Sequence, residues 1–216
     1  MNLRLLLTLL PALAAGPLEA QVADEGILVV RSGAREIGSE SFRVTSGEAG
    51  LRITAKATYR GTRPPVELAA SLERTAPGFD LAFQLEHRGG TAGSQVYAVL
   101  KRNRLTIRRV ERGGEQASET PGGDRIVLLA DSVFALYLQL LPLAPDGGRA
   151  LTAVLPHSGR RVSFTATVRR LPSADAGGTL IRLSGGLEGE IALGNRGELL
   201  RITLPTLGLE ATRKRD

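Results

Sequence analysis

"DSVFALYLQLLP", Asp131 to Pro142, breaks the pattern of the chain around it. Elsewhere polar and apolar residues alternate, the mark of β-strands with one wet face. Here Val133, Leu136, Tyr137 and Leu140 form one stripe at helical spacing. Phe134, Leu138 and Leu141 widen it until only Gln139 is polar. Asp131 or Ser132 stands where a side chain can cap the first amides, and Pro142 stands where a helix stops. The spacing therefore predicts a helix over Ser132 to Leu141. A helix that is apolar on nearly all sides must be covered on nearly all sides. Leaving it bare would forfeit about 2 kcal/mol for each large side chain.

The flanking sequence supplies the cover. Leu51, Ile53, Ala55, Ala57 and Tyr59 alternate with Arg52, Thr54, Lys56, Thr58 and Arg60. "VELAASLERT" turns Val66, Leu68, Ala70 and Leu72 inward, and "FDLAFQLEHR" does the same with Phe79, Leu81, Phe83 and Leu85. The tight turn Ala76 to Gly78 joins these two runs, so they are expected to be antiparallel neighbours. The grammar continues through "QVYAVLKR", "RLTIRRVER", "RALTAVLP", "RRVSFTATVRRL", "GTLIRLSG", "LEGEIALG" and "GELLRITLP". "GILVVRSG" and "EIGSESFRVTSG" read as an opening hairpin, and "LGLEATRKR" as a last short strand or tail. "DRIVLLA", Asp124 to Ala130, is apolar on both faces and is expected mid-sheet. About a dozen strands and one helix imply a mainly β fold, and the absence of helices between most strands disfavours a parallel sheet. A long antiparallel sheet twists and curls. The expected fold is a curved antiparallel sheet, or half-barrel, wrapped on one short apolar helix.

Two local marks carry a resemblance. They are "DS.FALY" (Asp131, Ser132, Phe134, Ala135, Leu136, Tyr137) and the closing "G.L.RI..P" (Gly197, Leu199, Arg201, Ile202, Pro205). With the strand meanders around them, the chain resembles exported bacterial domain-of-unknown-function proteins with a half-barrel sheet around one helix. These are similar in architecture to the periplasmic lipoprotein-localisation carriers, which hold acyl chains in the concavity. The resemblance brings no catalytic residues. It implies an apolar ligand site between sheet and helix, at Phe83, Leu85, Phe134, Leu136, Tyr137 and Leu140.

The first 20 of the 216 residues read as a cleaved signal peptide. Arg4 is followed by an apolar core from Leu5 to Leu10, then Pro11 and the small residues Ala12, Ala14, Ala15 and Ala20. The apolar run is shorter than the roughly 20 residues of a membrane anchor. Residues 21–216 are then one domain, large enough to bury a core without staples. The chain has no cysteine. This excludes disulfides, thiolate metal sites and a lipid-anchored mature N-terminus, and fits a Gram-negative periplasm.

Net charge is +6, and Lys56, Lys101 and Lys214 are the only lysines among 28 basic residues. Aromatics make up 4%, too few to stack bases, so nucleic acid is not an expected partner. Arg104, Arg108 and Arg112 share one strand face and form a candidate anion-binding surface; the plainer reading is charge guarding a sheet edge. His87 and His157 have no acidic partners placed by spacing, so no metal site or cofactor is expected. "GLEGE" sets Glu188 and Glu190 on one wet strand face, a poor arrangement for paired-carboxylate chemistry. "SGGLEG" and "RGGTAG" do not lead from strand into helix and so lack the amide cradle of a phosphate loop. The sequence thus points to a non-enzymatic periplasmic protein that binds an apolar or lipid-like ligand. An envelope structural or interaction domain with a filled core, working on an envelope protein, is the alternative, and a hydrolase is third. Cleavage after Ala20 is testable by intact mass: the exported protein should begin at Gln21, and a product that keeps Met1 contradicts the reading.

Overall fold

The computed structural model describes residues 21–60, 65–76, 80–89, 93–144, 146–171 and 178–215. Residues 1–20, read above as a signal peptide, lie outside them, as do residues 77 and 78 of the Ala76–Gly78 turn, Phe79, and residues 90–92 of "RGGTAG".

Alternation produces strands nearly everywhere. They are β1 (Gln21–Ser32), β2 (Arg35–Gly47), β3 (Gly50–Tyr59), β4 (Val66–Thr75), β5 (Leu81–Arg88), β6 (Ser94–Lys101), β7 (Arg104–Glu111) and β8 (Gly114–Pro121). The second half of the chain adds β9 (Ile126–Leu128), β10 (Arg149–Leu155), β11 (Arg160–Leu171), β12 (Gly178–Gly185), β13 (Gly189–Leu193), β14 (Leu199–Leu204) and β15 (Leu209–Arg213). All fifteen lie in one open sheet, in the order β8 to β1 and then β15 to β9. Two meanders therefore run outward from a central seam, where β1 pairs antiparallel with β15 from Leu28↔Arg213 to Ser32↔Leu209. Every pairing is antiparallel except β9 with β10. The helical segment lies between those two strands in sequence, as a parallel connection requires.

The sheet's two edges, β8 and β9, are consecutive in the chain and are joined by only Gly122–Arg125. Gly122 is tight against the neighbouring strand: a Cβ there would come within 3.0 Å of the Arg104 amide nitrogen. Side chains also link strands far apart in the sheet order. Arg161 Nη2 on β11 donates to the Pro121 carbonyl at the end of β8, at 2.8 Å. Arg109 Nε on β7 donates to the Pro156 carbonyl after β10, at 2.6 Å.

One helical segment of more than a single turn is present among the described residues, as expected, but its geometry and ends differ. It is a 3₁₀ helix over Phe134–Leu143, with Pro142 inside it. The fixed φ of proline matches 3₁₀ geometry, so Pro142 does not stop the run. Neither Asp131 nor Ser132 caps it. Val133 is the N-cap residue and makes no side-chain cap bond. The Glu40 carboxylate on β2 accepts the Phe134 and Ala135 N–H groups instead, at 2.8 and 2.7 Å. Asp131 faces outward to Arg160, at 3.2 Å.

The "DRIVLLA" run is also placed differently from expectation. Its strand β9 is a sheet edge, not a central strand, yet all three of its residues are buried. The helix covers the free side. Gln139 Nε2 donates to the Leu128 carbonyl at 2.7 Å, and the Leu128 N–H donates back to Gln139 Oε1 at 3.3 Å. One side-chain amide thus stands in for a sixteenth strand, meeting backbone groups that would otherwise be buried and unpaired. Gln139→Leu should orphan both groups and destabilise the fold by about 2 to 4 kcal/mol, measured as a lowered urea midpoint.

Candidate functional site

The inward registers of β2 to β5 end beside the entry to the helix, and there the packing leaves space. A cavity of about 500 Å³ is lined by Ile37, Tyr59, Leu68 and Leu85 on the sheet side, and by Leu129 and Leu155 opposite. The size falls in the range of small-molecule pockets. The period of two explains the lining: Leu68 and Leu85 belong to the apolar faces of β4 and β5, and His87 is the register partner of Leu68. Polar groups sit at the rim. Tyr59 Oη donates to the Ser132 carbonyl at 2.7 Å, tying β3 to the helix entry. His87 on β5 and His157 after β10 both line the cavity, with ring centroids 6.4 Å apart. Ser158 is engaged within its own turn: its Oγ donates to the Leu155 carbonyl at 3.5 Å and accepts the Arg160 N–H at 3.3 Å. Among the described residues no three His, Asp or Glu side chains gather to hold a metal ion.

All six residues expected at the ligand site, Phe83, Leu85, Phe134, Leu136, Tyr137 and Leu140, belong to one buried apolar cluster. Leu85 alone of the six borders the cavity just described. Phe134, Leu136 and Leu140 are 0% exposed, so no water-sized space touches them. The middle of the helix is packed, and open volume lies toward its ends.

The arginine stripe faces carboxylates on β8. Arg104 pairs with Glu119 and Arg108 with Glu115, both at 2.8 Å. The Arg108 guanidinium also lies 5.8 Å from the centre of the Tyr97 ring. Arg112 is exposed in the turn between β7 and β8. Glu190 pairs with Arg182 at 3.0 Å. Nothing in the geometry brings it together with Glu188.

Two charged residues on the apolar face were passed over in the sequence. Glu40 is 0% exposed, and burial pushes its carboxyl up to about 7 despite the opposing pull of two amide bonds. Burial, and secondarily the charge of Glu40, push the nearby Tyr59 hydroxyl upward as well. Arg74 is 8% exposed. Both were visible as register faults: Glu40 shares parity with Phe42 and Val44, and Arg74 with Leu68, Ala70 and Leu72.

Comparison of the chain with protein-family models, curated proteins and solved structures found no match. No helix among the described residues is long and apolar enough to cross a membrane.

Glu40 makes stability depend on pH. Its folded value lies above the ordinary carboxylate value of 4.5, so proton binding favours the folded state. The contribution is complete below about pH 4.5 and is lost as pH rises to about 7. By linkage this amounts to about 3 kcal/mol. The wild type minus Glu40→Ala stability difference, followed by urea unfolding between pH 5 and 8, should fall with rising pH. A flat difference contradicts the assignment.

Proposed function

We propose that the sheet is curled into a half-barrel on its helix, and that the protein is a non-enzymatic periplasmic binding protein for an apolar or lipid-like ligand. The curl is supported by the link between the sheet edges. Laid flat, fifteen strands at about 4.8 Å spacing would hold those edges about 67 Å apart. From Pro121 to Ile126 the chain takes five steps of about 3.8 Å, which reach about 19 Å at most. The bonds from Arg161 to Pro121 and from Arg109 to Pro156 support the same curl.

The observation that carries the ligand reading is the apolar cavity between the sheet and the helix entry. Its walls from β2 to β5 are held in place by strand pairing. The reading of residues 1–20 as a signal peptide supports the periplasmic location, and the resemblance to lipoprotein-localisation carriers supports the kind of ligand. Full burial of Leu136 and Leu140 favours the second reading, an envelope interaction domain with a filled core.

The two readings part on a simple measurement. N-phenyl-1-naphthylamine is neutral and brightens in apolar surroundings. It should bind the wild type, and Ile37→Trp, which fills the cavity, should weaken binding about tenfold, equivalent to 1.4 kcal/mol. No binding to the wild type, or equal binding to Ile37→Trp, moves the assignment to the interaction domain.

A further inference from the structure

A second cavity, of about 450 Å³, lies at the other end of the helix. Val44, Leu51, Leu138 and Leu141 give it apolar walls, and Arg74 and Arg196 also line it. Asp24 borders it too, but that carboxylate is already held: Arg213 Nη1 is 2.9 Å from Oδ1, and the Leu199 N–H donates to Oδ2 at 2.7 Å.

Arg74 is the anomaly. It occupies an inward position of β4, where its register mates are apolar. Its Nε and Nη1 are buried and have no hydrogen-bond partner among the described residues. Nη2 reaches only Gln139 Oε1, at a long 3.5 Å. No carboxylate pairs with it among the described ion pairs, and the nearby charge of Arg149 is of the same sign. Burial and that neighbour lower the guanidinium to about 10, which leaves it charged at neutral pH. A buried charge without a counter-charge is among the costliest features a core can hold, and native structures rarely leave such groups unexplained. An apolar cavity beside it, lined by a second cation, supplies an explanation.

We propose that this cavity takes a single-chain amphiphile with an anionic head group, the chain against Leu51, Leu138 and Leu141 and the head neutralising Arg74. The inference rests on the apolar-ligand reading above and adds the chemistry of the head. In low dielectric an anion lodged there offsets the guanidinium charge at short range, with or without a direct bond to Nε and Nη1. Carboxylate and phosphate heads share this chemistry. Leu141, at the rim and 39% exposed, offers the exit toward solvent.

The protein has no tryptophan, so Leu141→Trp provides a sole reporter at the cavity rim. Dodecanoate, dodecyl phosphate, dodecanol and dodecyltrimethylammonium are titrated against it below their micelle concentrations, and the carboxylate and phosphate arms separate the two head-group sources. The anionic chains should bind at least about tenfold tighter than the neutral and cationic ones. Arg74→Met in the same background should erase that preference and raise the melting temperature, whereas Arg74→Lys should retain most of it. If Arg74→Met does not fold, Leu51→Glu decides: a carboxylate on the cavity wall should take the place of the ligand head and abolish the preference. Equal binding of all four chains overturns the head-group inference and leaves the apolar-ligand reading standing. A preference that survives Arg74→Met or Leu51→Glu also overturns the head-group inference. No response to any chain overturns the head-group inference, and if N-phenyl-1-naphthylamine also fails to bind the wild type, both readings fall.

Discussion

Four residues, Gly122–Arg125, join the two edges of a fifteen-strand sheet, and the rest of the architecture answers to that short link. A meander that ends at one edge must be within reach of the strand that begins the other. The proposed curl follows from it. So does the need for something to cover the apolar face, because a sheet curled as proposed could not pack its own inner face to native density. The helical segment is therefore less an interruption of a β protein than the cover that the apolar face of its sheet requires.

Packing the helix against the sheet brings backbone amides into an apolar layer, and two polar side chains meet them there. Glu40 receives the first amides of the helix, and Gln139 receives the open edge of β9. Each reaches from one element to another and leaves few alternatives for how helix and sheet dock, since a shifted helix would strand buried donors. Arg74 follows the opposite logic. It shares the inward face of the sheet with Glu40 but lacks a matching partner, which is why the proposed ligand is assigned to it and an architectural role to the other two.

Much of the fold was legible because alternation is a local property. The inward set of β3 can be read from ten consecutive residues, and the helix from the dozen that do not alternate. What escaped was set by distant partners. "DRIVLLA" has the composition of a central strand and is an edge, because its cover comes from Gln139 on the helix, eleven positions on, rather than from a second neighbouring strand. The helix start was assigned to Asp131 or Ser132, whereas its acceptor is a carboxylate 94 residues earlier in the chain. The candidate site was legible in part. The apolar residues named for it do form the core, but whether a core residue borders space depends on shapes that no periodicity encodes. The charges at Glu40 and Arg74 were readable as breaks in register. They escape notice because a lone charge within an alternating run resembles ordinary wet-face polarity.

The seam between β1 and β15 bears on how the chain acquires its structure. Leu28 finds Arg213, 185 positions later in the chain, and β15 leaves the ribosome after every other strand. Each meander can zip from hairpin to hairpin by local contacts, but the two remain separate ribbons until that final strand arrives. Closing so long a loop is slow, as for other topologies rich in distant contacts. In the interval, Leu28 and Val30 on β1, both fully buried in the finished sheet, belong to an unpaired edge. That is where a helper that guards nascent chains would find its target.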